Sequence, residues 1–340
     1  MSDIDERVIG WGIVATGDIA HSVAADLKLL EGSRIAAVSS RVQDRADTFA
    51  REFGVTTAYS SVRALVEDDA VDVVYVATPH PQHAYAVRLA AEAGKAVLCE
   101  KVFTHSLAET ESLAAYAVQQ GVFCMEAMWT RFNPLIVKAR QMVADGVIGD
   151  VRMVSAELGF ASTHGPDHRL WNRPLGGGAL LDVGVYTVGF AQMLLGAPAE
   201  VAAVGTLTDQ GVDAEAGLLL SWPGGQRAHM DVSLRSPLAG AASIVGTTGR
   251  IEFAPRFHHP GRMTYVRTPE RGVEHPEVFQ HLSEGHGYVP MLRAVAQAVR
   301  EGRTECPEMP LADTVEVMRV LDDALGQLGV EYPDVAPAGA

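Results

Sequence analysis

The stretch Val8-Ile9-Gly10-Trp11-Gly12-Ile13-Val14-Ala15-Thr16-Gly17-Asp18-Ile19-Ala20 decides the fold. Val8 to Val14 is a continuous apolar run, the pattern of a strand covered on both faces. It passes through a short turn into 18–30, which has helical periodicity. Strand, tight turn and helix in that order make a phosphate-binding unit. The backbone can approach an anion closely at Gly17, and a helix N-terminus favours negative charge. The turn reads as Gly-x-Gly-x-x-(Gly/Ala) with Ala15 in place of the first glycine. Ala15, Thr16, Gly17, Asp18 and Ile19 are the candidate nucleotide contacts.

Outward from this unit the alternation continues. Strands are expected over 34–39, 71–77, 96–99 and 122–127, and helices over 44–53, 82–93 and 106–120. Ser106 followed by Glu109 is a capping box for the last of these helices. Alternating strands and helices predict a doubly wound parallel sheet, here a nucleotide-binding domain over 1–129. Beyond 130 the pattern changes. A helix at 134–144 and a half-exposed strand at 150–160 precede a helix at 177–195 with a glycine-rich start. Strand-like runs follow at 201–207, 215–222, 227–234, 242–245, 250–253 and 263–267, parted by turns such as Pro223-Gly224-Gly225. Helices at 288–300 and 311–328 close the chain. The chain is therefore α/β: a parallel domain, then an α+β domain over 130–333 with a mostly antiparallel sheet. Residues 334–340, rich in Ala and Pro, are expected to form a flexible tail.

Composition narrows the function. Hydrophobic residues are 48% of 340, enough for a sizeable core. The net charge of −15 argues against a general nucleic-acid binder, so an anionic cofactor must be held by local groups. No apolar run approaches the roughly 18 residues that span a bilayer. The polar, acidic start is not a signal peptide, and a cytoplasmic protein is expected. Cys99, Cys124 and Cys306 have no metal spacing and read as buried free thiols. His80 and His83, or His258 and His259, fall outside known zinc spacings, so no metal is expected.

The chemistry concentrates in two further segments. Ala96-Val97-Leu98-Cys99-Glu100-Lys101 is a short apolar strand ending in a Glu-Lys pair. A lysine there is costly unless it has a partner or a task, and that end of an open α/β strand is where ligands bind. Gly176-Gly177-Gly178-Ala179-Leu180-Leu181-Asp182-Val183-Gly184-Val185-Tyr186 puts Asp182 and Tyr186 four apart on an otherwise apolar helix, hence on one face. Hydride exchange at a carbinol carbon requires a proton to come or go at the oxygen. A phenol with a pKa of about 10 is a poor base until a cation such as Lys101 favours its phenolate. Lys101, Asp182 and Tyr186 are the candidate catalytic group. The second strand ends in Ser40-Arg41, with Arg45 one helical turn on, where an NAD site usually has an acid. A guanidinium can instead grip a 2′-phosphate, which favours NADP over NAD. Thr78, Pro79, His83, Glu100, Lys101, Trp129 and Arg131 are further expected cofactor contacts. Trp129, Phe160 and Arg169, with Lys101, Asp182 and Tyr186, are expected around the substrate.

The segments 11–17, 78–83, 100–104, 125–132 and 176–186, together with Pro307-Glu308-Met309-Pro310-Leu311 before a helix, give the chain a family resemblance. It resembles the Gfo/Idh/MocA (glucose–fructose oxidoreductase/inositol dehydrogenase) family from about Val8 to Tyr332, and within it the dihydrodiol dehydrogenase and D-xylose dehydrogenase branch. The resemblance implies a Rossmann domain, a C-terminal domain with an open sheet, and a homodimer or homotetramer formed through that sheet. It also implies that Lys101 is catalytic. Three departures stand out: Glu-Lys-Val replaces Glu-Lys-Pro, position 186 is Tyr where much of the wider family has His, which matches the dihydrodiol branch, and Ala15 replaces a glycine. The expected activity is NADP-dependent oxidation of a secondary alcohol in a sugar or cyclic diol. Its rivals are reduction of a dicarbonyl or anhydro-sugar, a non-catalytic NADP-binding regulator, and an NAD-using glycosidase. A regulator has no need of a proton relay.

Overall fold

The computed structural model describes residues 7–268 and 275–333. The tail expected at 334–340 lies outside these residues. The chain divides into two units. The first takes the chain to Trp129 and then Ser283–Val315; the second takes Thr130–Leu282 and the chain from Glu316.

In the first unit, β1 (Ile9–Val14), β2 (Ser33–Ser39), β3 (Thr57–Tyr59), β4 (Val73–Val76), β5 (Ala96–Cys99) and β6 (Cys124–Glu126) form one sheet. Its order is β3-β2-β1-β4-β5-β6, and every neighbouring pair is parallel. That order reverses between β1 and β4, the switch point of a doubly wound sheet. Every residue of β1, β4 and β5 is buried, which is why their sequences are unbroken apolar runs. Helices α1 (Asp18–Leu27), α2 (Gln43–Phe53), α3 (Val62–Val66), α4 (His83–Glu92) and α5 (Leu107–Gln120) make the crossovers. Leu65, Val87 and Leu113 from α3, α4 and α5 pack with Val14, Val76 and Val97 in one apolar cluster. Each such side chain contributes about 1.5–3 kcal/mol by leaving water. The Ser106 hydroxyl accepts the Glu109 N–H at 3.3 Å, so α5 starts where its capping residue predicts.

The second unit holds α6 (Pro134–Ala144), β7 (Val151–Gly159), a π turn at Leu180–Gly184, and α7 (Val185–Leu195). Then come β8 (Glu200–Leu207), β9 (Asp213–Ser221), β10 (Arg227–Ser233), β11 (Ala242–Gly246), β12 (Gly249–Phe253), β13 (Arg262–Arg267) and β14 (Pro276–Gln280). The sheet order is β14-β13-β12-β11-β7-β10-β9-β8, antiparallel except for β7 beside β10. Along β10, Ala228, Met230 and Val232 are buried while Arg227, His229 and Asp231 are exposed. One face of the sheet is therefore core and the other open. The π turn and α7 lie on the covered face, against β7 and β10. Arg173–Leu195 is apolar and long enough to cross a membrane, but 83% of its apolar window is buried in the fold. It is a core segment.

The chain then returns. Helix α8 (Val289–Arg300) belongs to the first unit, and α9 (Leu311–Leu328) follows. Sequence reasoning kept 130–333 in one domain; the structure removes Ser283–Val315 from it. The cause is Asp26 on α1, which is fully buried and accepts the N–H groups of His286 and Tyr288 at 2.7 and 2.8 Å. Tyr288 directly precedes α8, whose first N–H groups lack intrahelical partners.

Candidate active site

In the first unit the ladder continues one residue past several strand ends. Ala15 N–H donates to Ser39 O, Ala77 to Val14, Glu100 to Val76 and Ala127 to Cys99. This brings the Ala15–Gly17 turn, Ser39–Ser40, Thr78 and Glu100–Lys101 to one carboxyl edge, where such sheets bind ligands. Ala15 adopts φ +82°, the left-handed conformation that the replaced glycine would take easily. Gly17 precedes α1, and a Cβ built there meets nothing within 4 Å. The chain's own packing leaves that space open, in front of the α1 N–H groups. Thr78 Oγ1 is buried without a hydrogen-bond partner. Arg41 and Arg45 are exposed, and neither has an ion pair among the described residues. An open anion cradle, an orphaned hydroxyl and free guanidinium groups fit a dinucleotide.

Lys101 follows β5, and two buried carboxylates brace its turn. Glu100 Oε1 accepts the Tyr75 hydroxyl at 2.7 Å, and its Oε2 lies 3.3 Å from the Lys101 N–H. Glu126, at the end of β6, accepts the Phe103 N–H at 2.9 Å. Burial, then the Glu100 charge, raise the Tyr75 pKa well above the usual tyrosine value, so Tyr75 stays a donor. Glu100 thus braces its own turn. His83 is likewise engaged within the chain. It is fully buried, with Nε2 2.8 Å from Thr78 O and Nδ1 3.0 Å from Val102 O. Its ring ties the Thr78 loop to the Lys101 loop and presents neither nitrogen to a ligand. Burial holds its pKa below the usual value, against the opposing pull of the carbonyl oxygens. Pro79 is half-buried beside Thr78. The Trp129 ring lies tilted against Tyr288, centroids 4.6 Å apart.

In the second unit the segment 179–192 is buried on every side, so its polar groups must find partners. Asp182 lies in the π turn and Tyr186 in the first turn of α7. Such π insertions are frequent at functional sites. Arg169 Nη1 donates to Asp182 Oδ1 at 2.9 Å. The Tyr186 ring lies against His258, centroids 5.3 Å apart. Thr130 Oγ1 donates to His258 O at 2.7 Å, and Asn133 Nδ2 to Pro260 O at 3.3 Å, which holds the histidine loop. Arg169 and Asp182 are therefore joined directly, while Tyr186 follows in the next element rather than four residues along one regular α-helix. Arg131 is not placed as expected: it is 1% exposed, and its guanidinium donates to Gln192 of α7. It is a core cation bound by a buried amide. Phe160, just past β7, is 38% exposed.

Sequence reasoning missed Tyr75, Glu126, Tyr288, His258 and Asp213. Glu126 carried a usable signal, an acid at the end of a buried strand, just as Lys101 did. The others are placed only by tertiary contacts.

Residues 9–128 match the oxidoreductase family with an NAD-binding Rossmann fold, and residues 136–252 match the GFO/IDH/MocA C-terminal domain. The trans-1,2-dihydrobenzene-1,2-diol dehydrogenase of Mus musculus is 37% identical over 329 residues, covering 95% of this chain and 98% of the relative. Among solved structures, aldose-aldose oxidoreductase from Caulobacter crescentus, complexed with glycerol, superposes with a TM-score of 0.85 at 26% identity, covering 95% and 98% of the two chains. KijD10, a 3-ketoreductase from Actinomadura kijaniata in complex with NADP and TDP-benzene, gives 0.81 at 29% identity, covering 94% and 97%. With both domains matched and a relative this similar over nearly its whole length, the chain belongs to the GFO/IDH/MocA oxidoreductase family.

Proposed function

We propose that this NAD(P)-dependent oxidoreductase uses NADP and transfers a hydride to or from a secondary alcohol carbon of a sugar or cyclic diol, with Tyr186 as the proton carrier. The observation that carries the reading is the buried Asp182–Tyr186 pair at a π turn, with Arg169 on the carboxylate. A wholly buried apolar segment gains nothing from a phenol and a carboxylate unless they have work to do.

The chain's residues divide the work. The α1 N-terminus and the Ala15–Gly17 turn hold a pyrophosphate, and Thr78 Oγ1 offers a hydrogen bond. Arg41 and Arg45 grip a 2′-phosphate. The chemistry supplied by a bound nicotinamide is hydride exchange at the carbinol carbon. In the oxidising direction, Tyr186 Oη takes the hydroxyl proton as the carbonyl forms; in the reducing direction it returns that proton. Lys101 binds the substrate oxygen. Asp182 and Arg169 receive neighbouring substrate hydroxyls. Relatives named for a diol, an aldose and a 3-keto compound support this substrate class.

The same reading includes a homodimer through the open sheet face, where Val204 is 74% and Leu219 49% exposed. It also includes a cytoplasmic setting, which suits three free buried thiols. The test is a panel of aldoses, inositols, trans-diols and dicarbonyls, run in both directions and followed by NADPH absorbance. Turnover of a polyol or its ketone supports the reading. Cofactor binding with no turnover of any member would favour a regulator and overturn it.

A further inference from the structure

We propose that Asp213, with the hydroxyl of Tyr332, is a positioning residue for catalysis that seats the helical segment carrying Asp182 and Tyr186. The inference rests on the reading of those two residues as the proton-handling pair. Asp213 opens β9 and is fully buried. Its Oδ2 accepts the N–H of Leu180, the first residue of the π turn, at 2.6 Å. Gly178 has φ +125°, and a Cβ there would lie 2.2 Å from Asp213 Oδ1 and 3.1 Å from the Tyr332 hydroxyl. The backbone is pressed against both groups, so only glycine fits. Tyr332 donates to Gly177 O at 2.7 Å.

The seat also reaches the other side of the site. Gly177 and Gly178 donate their N–H groups to Asn172 O and Leu170 O at 3.1 and 2.9 Å. One glycine turn thereby anchors both the segment bearing Arg169 and the segment bearing its partner Asp182. Tyr186 follows four residues later. This accounts for the glycine triplet, which the nucleotide and proton chemistry leave unexplained.

The physical logic is that of a helix cap supplied from a distant strand. The residue before the π turn, Ala179, has no capping side chain. A carboxylate satisfies the orphan donors and complements the positive end of the helix dipole. The groups facing Asp213 are the N–H groups of Ala179 and Leu180 and, as the titratable neighbour, Tyr332. Burial pushes the Asp213 carboxyl up to about 6 and keeps Tyr332 protonated. Protonating Asp213 weakens the cap and loosens the start of the segment. A displacement of about 1 Å in a reacting group costs on the order of 100-fold in rate.

The test measures kcat, KM, pH profile and melting temperature for full-length Asp213→Asn, Tyr332→Phe and Tyr186→Phe. Asp213→Asn should lower kcat about tenfold, leave KM for NADP within about twofold, and melt no lower than wild type. It should also lack the acid-side limb expected near 6 in wild type. Tyr332→Phe should lower kcat severalfold and keep that limb; should Asp213→Asn fail to fold, this variant decides. If both keep wild-type kcat and profile while Tyr186→Phe is inactive, the seat is refuted and the Tyr186 reading stands. If Tyr186→Phe turns over normally, the underlying reading falls and the seat loses its catalytic meaning with it. Loss of kcat only in proportion to lost folded protein likewise overturns a positioning role.

Discussion

Replacing Asp213 by Asn should change how stability depends on pH. The carboxyl is fully buried, and its pKa is raised from 3.8 to about 6. Burial is the largest cause, opposed by backbone N–H groups that favour the charged form. The folded protein thus holds a proton that the unfolded chain releases. For a raised pKa, the stabilising contribution is fully present below about 3.8 and is lost as pH rises through about 6. The two-unit difference, at about 1.4 kcal/mol per unit, comes to about 3 kcal/mol. Asn keeps a carbonyl to accept the Leu180 N–H and carries no charge, so it removes this dependence. Urea unfolding of both proteins at about pH 4.5, 5.5, 6.5 and 7.5 measures it through the transition midpoints. Wild type should lose about 2 kcal/mol relative to the variant between the lowest and highest of these pH values. Parallel pH dependence in the two proteins would refute the reasoning, because Asp213 would then titrate alike in folded and unfolded chains.

Other consequences are simpler to read. Arg41→Ala should reduce the preference for NADP over NAD by about ten- to a hundredfold, since hydrogen bonds to charged groups contribute roughly 1.5–3 kcal/mol. NAD affinity should barely move, and tryptophan fluorescence titration of both cofactors checks both statements. Lys101→Ala should lower kcat by about 10²–10⁴-fold while NADP binding persists; turnover within a few-fold of wild type would remove Lys101 from the mechanism. Ala15→Gly relieves a left-handed alanine at φ +82°. That strain of about 1–2 kcal/mol is partly offset by glycine's freedom in the unfolded chain, so thermal unfolding should show a gain of up to about 1 kcal/mol.

The parallel sheet was readable because β1, β4 and β5 are buried on both faces, so unbroken apolar runs of four to six residues mark them. Thr57–Tyr59 and Pro276–Gln280 were not, because a three-residue, half-covered strand and an exposed edge strand bury too little to leave a pattern. The glycine triplet announced a helix start but not the π turn, which depends on Asp213 from a strand 33 residues away. Asp182 and Tyr186 stood out as polar groups in an apolar helix, a local anomaly visible in the letters. His83 and Arg131 lie in equally suggestive segments, yet carbonyl groups hold the His83 ring nitrogens and Gln192 accepts one Arg131 N–H. A buried residue that braces a site and a residue that touches a ligand can share one motif. Only contacts separate them. The return of Ser283–Val315 to the first unit was hidden for a related reason: Asp26 reads as an ordinary helix-surface acid until its two N–H partners, 260 and 262 residues away, are seen.

The most direct test of the central claim is the pH–rate profile of Tyr186→Phe. The ring is 8% exposed and is retained, so the fold and the contact with His258 survive and only the hydroxyl is lost. With the best substrate from the panel, NADPH absorbance should show kcat falling by about 10²–10⁴-fold and the high-pH limb altered, with NADP affinity unchanged. A variant with wild-type kcat and an unchanged high-pH limb would contradict the account and pass the proton to Asp182 or a water.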